Sequence, residues 1–266
     1  MQQQLDKKPA QVLTRAQEPW IGARGRIGVI IPSTNIGVEY DCQRFIMPGV
    51  TWHFSRFWVE QPDLSSDNMF LAFIDAIRKT IPDSMRNIMT CEPTYIMMGM
   101  SAETFWGGLE GNAEFEARLR EHTGPDFGIT SGAAALRAAL DAFGVKKVSA
   151  LTPYQPVGDE QVERFLVESG YQVHKVRGLK CDTATSIAHT PPREVIEEVL
   201  SELDGPGVEA IVQAGTNLST LDIFPTLEHK LSKPVIPINV ACIWHALRAI
   251  GVKDKAFGRG WLMERF

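Results

Sequence analysis

Short, continuous apolar runs alternate along this chain with segments whose apolar positions recur at helical spacing. The first run, Ile27-Gly28-Val29-Ile30-Ile31, shows no polar alternation, which suits a strand covered on both faces. It ends in the polar turn Pro32-Ser33-Thr34-Asn35. Thr51 to Val59 reads as a second strand. Ser65-Ser66-Asp67 can cap a helix running to about Thr80, with Phe70, Phe73, Ile74 and Ile77 on one face. Tyr95 to Met98 is a short strand that runs into Gly99-Met100-Ser101. The rhythm then repeats. Strands are expected over 147–151, 171–176, 210–213 and 234–237. Helices are expected over 131–143, 158–169, 192–203, 221–231 and 240–250; Gly144 stops the first of these, and Pro192 is tolerated in a first turn.

Strands alternating with helices predict an α/β fold, with parallel sheets flanked by helices. Two clusters of strands predict two lobes. The expected division is residues 25–127 plus 239–266 as the first lobe and 128–238 as the second. Residues 1–24 are polar and unpatterned, an arm either flexible or packed on a subunit partner. Ligands of open α/β sheets bind at strand C-termini, so the candidate site is the set of turns 32–35, 99–101, 130–132, 152–154 and 215–217. No GxGxxG or GxxxxGK[ST] pattern occupies them, and a nucleotide cofactor has no support.

Composition narrows the classes. An apolar share of 44% excludes a disordered chain. A net charge of −5 offers no phosphate-neutralising surface, which argues against nucleic acid. No apolar run approaches the roughly 18–20 residues that span a bilayer, and the N-terminus has no apolar signal core. Cys42, Cys91, Cys181 and Cys242 lie far apart, without metal spacing, so reduced thiols in the cytoplasm are expected.

Several motifs, in order, resemble the aspartate/glutamate racemase superfamily, in the branch holding maleate cis-trans isomerase and arylmalonate decarboxylase. They include Gly28-Val29-Ile30-Ile31-Pro32-Ser33-Thr34-Asn35, His53-Phe54-Ser55-Arg56, Gly107-Gly108-Leu109-Glu110, Ile129-Thr130-Ser131, Thr152-Pro153-Tyr154, Gly215-Thr216-Asn217-Leu218 and Trp244-His245-Ala246-Leu247-Arg248. The similarity spans about Arg26 to Gly251. It implies two flavodoxin-like lobes with the active site between them, no metal or organic cofactor, and a homo-oligomer, dimer or tetramer. It further implies bond-making or bond-breaking beside a carboxylate, with cysteine thiols as acid, base or nucleophile. The resemblance places those thiols at the end of the strand Tyr95–Met98 and in the turn after Gln213. This chain has Gly99 and Gly215 there.

The carboxylate-binding apparatus implied by the resemblance is better retained. Asn35, Gly99, Met100, Thr130, Gly215, Thr216 and Asn217 are the expected substrate-binding residues; Ser101 and Tyr154 are the expected catalytic ones. Each has a plainer alternative: Asn35 and Asn217 can hold turns, Tyr154 can be a packed aromatic, and the two glycines can serve close backbone approach. His53 and Arg56 are expected to brace the sheet. Glu39, Glu103 and Asp222 are candidate acid/base groups or charged surface. The four cysteines are expected to be small, buried thiols; Cys242, in the first turn of a helix on the cleft side, is the one with a functional alternative. The expected function is a cofactor-independent enzyme acting on a small carboxylic acid through an enediolate, decarboxylase-like or isomerase/lyase-like. The alternatives are a non-catalytic carboxylate-binding protein or a hydrolase or lyase of different mechanism.

Overall fold

The computed structural model describes residues 20–61 and 63–266. The first sheet comprises β1 (Gly25–Pro32), β2 (Val50–Phe57), β3 (Tyr95–Met98) and β4 (Ile129–Thr130). All neighbours pair in parallel, in the order β2-β1-β3-β4. The second sheet comprises β5 (Lys147–Thr152), β6 (Gln172–Gly178), β7 (Ala210–Gln213) and β8 (Val235–Pro237), parallel in the order β6-β5-β7-β8. The two sheets thus share one winding. The apolar runs fall where double coverage requires them: Ile27, Val29, Ile30 and Ile31 in β1, and Ala210, Ile211 and Val212 in β7, are fully buried.

Among the described residues the helices are α1 (Gly37–Cys42), α2 (Asp67–Met89), α3 (Ala102–Phe105), α4 (Gly108–Thr123), α5 (Gly132–Phe143), α6 (Pro156–Glu168), α7 (Ala184–Ala188), α8 (Pro192–Glu198), α9 (Phe224–Leu231), α10 (Ile238–Ala249) and α11 (Trp261–Arg265). The segment expected as one helix over 192–203 is α8 followed by a π-helical turn, Val199–Leu203. Ser66 caps α2 as its side chain accepts from the Met69 N–H at 3.4 Å. That helix passes through Pro82 and runs well beyond Thr80, because Ile81, Met85 and Ile88 continue the buried stripe. Helix α4 was not anticipated: its sequence, GLEGNAEFEARLREHT, is mostly polar, and only Phe115 and Leu119 give it large buried apolar side chains.

The expected lobe boundary needs one correction. Ile129 and Thr130 form β4, which pairs with β3, so the first sheet extends past residue 128. Helix α10 packs on α5, β3 and β4, returning the chain to the first lobe. Most of the expected 1–24 arm lies outside the described residues. Arg24, at its end, is part of the fold: its N–H donates to the Gly49 carbonyl at 2.8 Å and its guanidinium pairs with Asp254. No helix among the described residues is long and apolar enough to cross a membrane.

The lobes meet through packed aromatics as well as polar turns. Phe105 of α3 and Phe165 of α6, both essentially buried, lie edge to face with centroids 5.4 Å apart. Replacing Phe165 with Ala is expected to lower the unfolding free energy by about 3–5 kcal/mol, measured by urea denaturation. An effect below about 1 kcal/mol would show that this contact does not bind the lobes together.

Candidate functional site

A cleft opens between the C-terminal ends of the two sheets. Its polar end is lined by Asn35 after β1, Ser101 after β3, Tyr154 after β5 and the Gly215–Asn217 turn after β7. Its apolar end is lined by Leu64, Phe70 and Phe73 from the first lobe and Ala184 and Ile187 from the second. The cleft, which opens to solvent, has about 50 Å³ of water-accessible space, room for roughly four waters.

The polar side chains form one connected network. Ser101 Oγ and Tyr154 OH lie 2.5 Å apart, and the Thr216 N–H donates to Ser101 Oγ at 3.1 Å. One hydroxyl of the pair must donate to the other, so one O–H remains free to donate elsewhere. Asn35 Nδ2 donates to Thr216 Oγ1 at 3.3 Å, while Asn35 Oδ1 accepts from the Val38 N–H at 3.0 Å. Burial pushes the Tyr154 phenol well above its ordinary pKa, although the contact with Ser101 opposes this. It therefore stays neutral at physiological pH. Behind it, the Thr152 hydroxyl accepts from the Tyr154 N–H at 3.0 Å and donates to Asp159, fixing the turn.

Asn217 works across the lobes. Its Oδ1 accepts from the Ile36 and Gly37 N–H groups at 2.9 and 3.1 Å, and so caps α1. Its Nδ2 donates to the Ala184 carbonyl at 2.8 Å. Its amide is committed to holding the cleft in shape.

Seven of the nine expected residues therefore converge on the cleft: Asn35, Met100, Ser101, Tyr154, Gly215, Thr216 and Asn217. Two do not line it. Gly99 sits at the end of β3, where its N–H donates to the Ile30 carbonyl at 2.8 Å. Thr130, with the turn that follows it, faces elsewhere: its hydroxyl lies 2.8 Å from Tyr95 OH and 2.7 Å from His245 Nδ1. Among the other candidates, Glu39 pairs with Arg56 at 2.5 Å, Asp222 with Arg44 at 2.6 Å, and buried Glu103 with Arg78 at 2.7 Å. None of the three lines the cleft. Arg56 braces the site rather than only the sheet, because its Nη1 donates to the Asn35 carbonyl at 2.8 Å.

The cysteines are also elsewhere. Cys42 and Cys242 are buried in the core, and burial pushes the Cys242 thiol up to about 12. Cys91 is exposed, and Cys181 lies 3.7 Å from the Thr190 hydroxyl. Tyr154 is the only ionisable side chain lining the cleft among the described residues. No group of three or more His, Cys, Asp or Glu side chains among them is arranged to hold a metal ion.

A sequence model described as arylmalonate decarboxylase matches residues 64–263. The chain belongs to the arylmalonate decarboxylase family. The maleate isomerase of Nocardia farcinica is 24% identical over 249 residues, covering 90% of this chain and 96% of that protein. The arylmalonate decarboxylase of Bordetella bronchiseptica is 25% identical over 183 residues, covering 68% of this chain and 75% of that protein. Among solved structures, a cysteine-to-serine mutant of the Nocardia farcinica maleate cis-trans isomerase carries a covalently bound succinylcysteine intermediate. It superposes with a TM-score of 0.81 at 24% identity, covering 91% of this chain and 98% of the other. A liganded double mutant of arylmalonate decarboxylase, in which a glycine and a cysteine are changed to cysteine and serine, gives 0.77 at 22% identity, covering 91% and 99%. These structures share the two-lobed α/β fold of this chain.

The glycines at the positions where the resemblance puts thiols are tightly enclosed. A Cβ on Gly215 would lie 2.5 Å from Pro153 Cδ, and one on Gly99 would lie 2.5 Å from Ile31 Cγ2. Gly215→Cys is therefore expected to destabilise the fold by about 1–3 kcal/mol, read from chemical denaturation. A neutral or stabilising result would mean that the Pro153 ring yields freely.

Asp41 of α1 supports the same turn from below. It is fully buried, accepting from Ser219 Oγ at 2.6 Å and from Asn239 Nδ2 at 2.7 Å; Asn239 also donates to the Thr216 carbonyl at 2.9 Å. Burial raises its pKa to about 6 against the effect of those hydrogen bonds. A raised carboxyl pKa adds stability below the unfolded value that is lost as pH rises through the folded one. Asp41→Asn is therefore expected to reduce the loss of stability between pH 4 and pH 7 by about 2–3 kcal/mol relative to the parent. Denaturation at both pH values checks this. Asp159 and Glu228, raised by burial to about 6 and 7, titrate in the same window in both proteins.

Proposed function

We propose that this protein is a cofactor-independent decarboxylase of a small malonic-acid-type substrate, working through an enediolate. One observation carries the proposal: the cleft presents a free hydroxyl proton on the Ser101–Tyr154 pair and, among the described residues, no side chain that is a base at neutral pH. Reactions that begin by removing an α-proton need such a base, and double-bond isomerisation through a covalent adduct needs a nucleophile. Decarboxylation needs neither to begin. The C–C bond pair stays on the α-carbon as CO₂ leaves, and the remaining carboxylate accepts that charge as an enediolate.

The neutral donors at the polar end would hold the retained carboxylate: the free hydroxyl, the remaining Asn35 amide N–H and the Thr216 hydroxyl. The carboxylate that departs would lie at the apolar end, where Leu64, Ala184 and Ile187 favour uncharged CO₂ over an anion. The enediolate carbon is far more basic than a phenolate. A neutral Tyr154, or Ser101 with Tyr154 behind it, can therefore protonate that carbon and recover its proton from water.

The same scarcity of titratable groups also favours a second reading, a non-catalytic protein that binds a small carboxylate. One experiment separates the two. The protein is incubated in D₂O with phenylmalonate and alkylmalonates, and NMR follows CO₂ release and deuterium at the α-carbon. The decarboxylase gives both, and Tyr154→Phe lowers the rate by about 10²–10⁴-fold while ligand affinity changes little. Saturable malonate binding with no turnover assigns the protein to the second reading.

A further inference from the structure

A second, larger cavity adjoins the cleft. It is a groove of about 410 Å³ between the end of β2 and the exposed side of α2. Its walls include Trp58, Val59, Met69, Ala76 and Ile77. Among the described residues the two cavities share a single lining side chain, Phe73. Trp58 is 69% exposed and Met69 44%, an apolar patch that nothing among the described residues covers.

An aromatic row joins the two. Tyr154 meets Phe70 edge to face at 5.5 Å, and Phe70 meets Phe73 at 6.1 Å. The row leads from the hydroxyl pair to the wall between the cavities. The groove is also tied to the polar turn of the cleft. Ser33, two residues before Asn35, accepts from the Val59 N–H at 2.9 Å and donates to the Val59 carbonyl at 3.2 Å. From the other side the Thr80 hydroxyl donates to the Trp58 carbonyl at 3.0 Å. Trp58 is thus presented on anchored backbone although its ring is exposed.

We propose that this groove is a second ligand subsite, reached past Phe73, which takes the distal aryl or alkyl portion of a carboxylate whose head lies at Ser101 and Tyr154. The proposal rests on the carboxylate-binding reading above and adds to it the size and chemistry of the substrate. The cleft has only about 50 Å³ of water-accessible space against about 410 Å³ in the groove, so on this proposal bulk beyond the α-carbon is taken up past the Phe73 ring. The ligand class is an extended monosubstituted acid with an apolar tail. Glu60 and Asp63 at the groove disfavour a second anionic group at the far end.

Binding of phenylacetate, 3-phenylpropionate, 4-phenylbutyrate and 5-phenylpentanoate to the intact protein tests this, by calorimetry and by Trp fluorescence. Affinity is expected to rise about tenfold or more from the shortest to the longest acid, since each buried methylene contributes. Trp58→Ala, at an exposed position, should abolish the rise and leave phenylacetate binding unchanged. Phe73→Trp should weaken only the longer acids. If the acids bind with affinity independent of length, or if Trp58→Ala leaves the rise intact, the subsite is overturned while the carboxylate-binding reading stands. If none of the acids binds, both fail. If Trp58→Ala instead changes the oligomeric state in sedimentation and the length dependence persists, the groove belongs to an interface between copies and the subsite is overturned.

Discussion

The site depends on one close approach between the lobes, that of the Gly215–Asn217 turn to the start of α1. The backbone at Gly37 meets this turn so closely that a Cβ there would lie 3.0 Å from the Thr216 carbonyl oxygen. Asn217 then completes the cap of α1: Asn35 accepts from the Val38 N–H, Ile36 at the cap position has no side-chain acceptor, and the Ile36 and Gly37 N–H groups are left to Asn217. The helix start and the second-lobe turn are therefore formed together. The same turn hands the Thr216 N–H to Ser101, so its placement fixes the hydroxyl pair. Asp41, buried without a counter-ion in contact, completes the arrangement from the core side through Asn239 and Ser219. A buried carboxylate is expensive, and its two strong donors offset part of that cost while they orient the turn.

That dependence explains what could be read from the chain and what could not. Strands covered on both faces announce themselves as unbroken apolar runs, so β1, β3, β5 and β7 were legible, and with them the turns at their C-terminal ends. Most of the polar end of the cleft followed, because its residues sit within a few positions of those strand ends. Thr130 was misplaced by the same logic. It follows a strand end too, but β4 is the edge of its sheet, and its hydroxyl is taken by Tyr95 and His245. The apolar end was not legible. Phe70 and Phe73 carry the signal of a helix face, and nothing local distinguishes a side chain packed on a sheet from one that walls a cleft. Ala184 and Ile187 lie on a five-residue helix too short to leave a periodic pattern. Helix α4 escaped for a related reason: it is held by side-chain bonds to its neighbours, such as Asn112 to the Thr104 carbonyl at 2.9 Å, rather than by an apolar stripe.

The glycines at 99 and 215 show how a departure from a family pattern can be structural as well as chemical. A thiol missing from an open pocket would leave space. Here the space is filled: Ile31 and Val38 close on Gly99, and the Pro153 ring closes on Gly215. The turn that follows Pro153 and the residue two after Gly99 carry the phenol and the serine hydroxyl of the cleft.

A cleft of this kind has a definite electrostatic consequence. Its donors among the described residues are neutral, and Arg56, which spends one N–H on the Asn35 carbonyl, is paired with Glu39. An anion that enters exchanges hydration for a few dipolar contacts, so ground-state binding gains little from charge. In the decarboxylation proposed above, catalysis would come from the difference between a localised carboxylate and a more dispersed transition state, whose leaving carbon becomes uncharged as CO₂ forms. Adding a cation to the cleft would tighten the ground state and reduce that difference. The neutrality of the site, with a phenol that burial keeps protonated, is what the proposed reaction would use, beginning by expelling CO₂ and ending by accepting one proton.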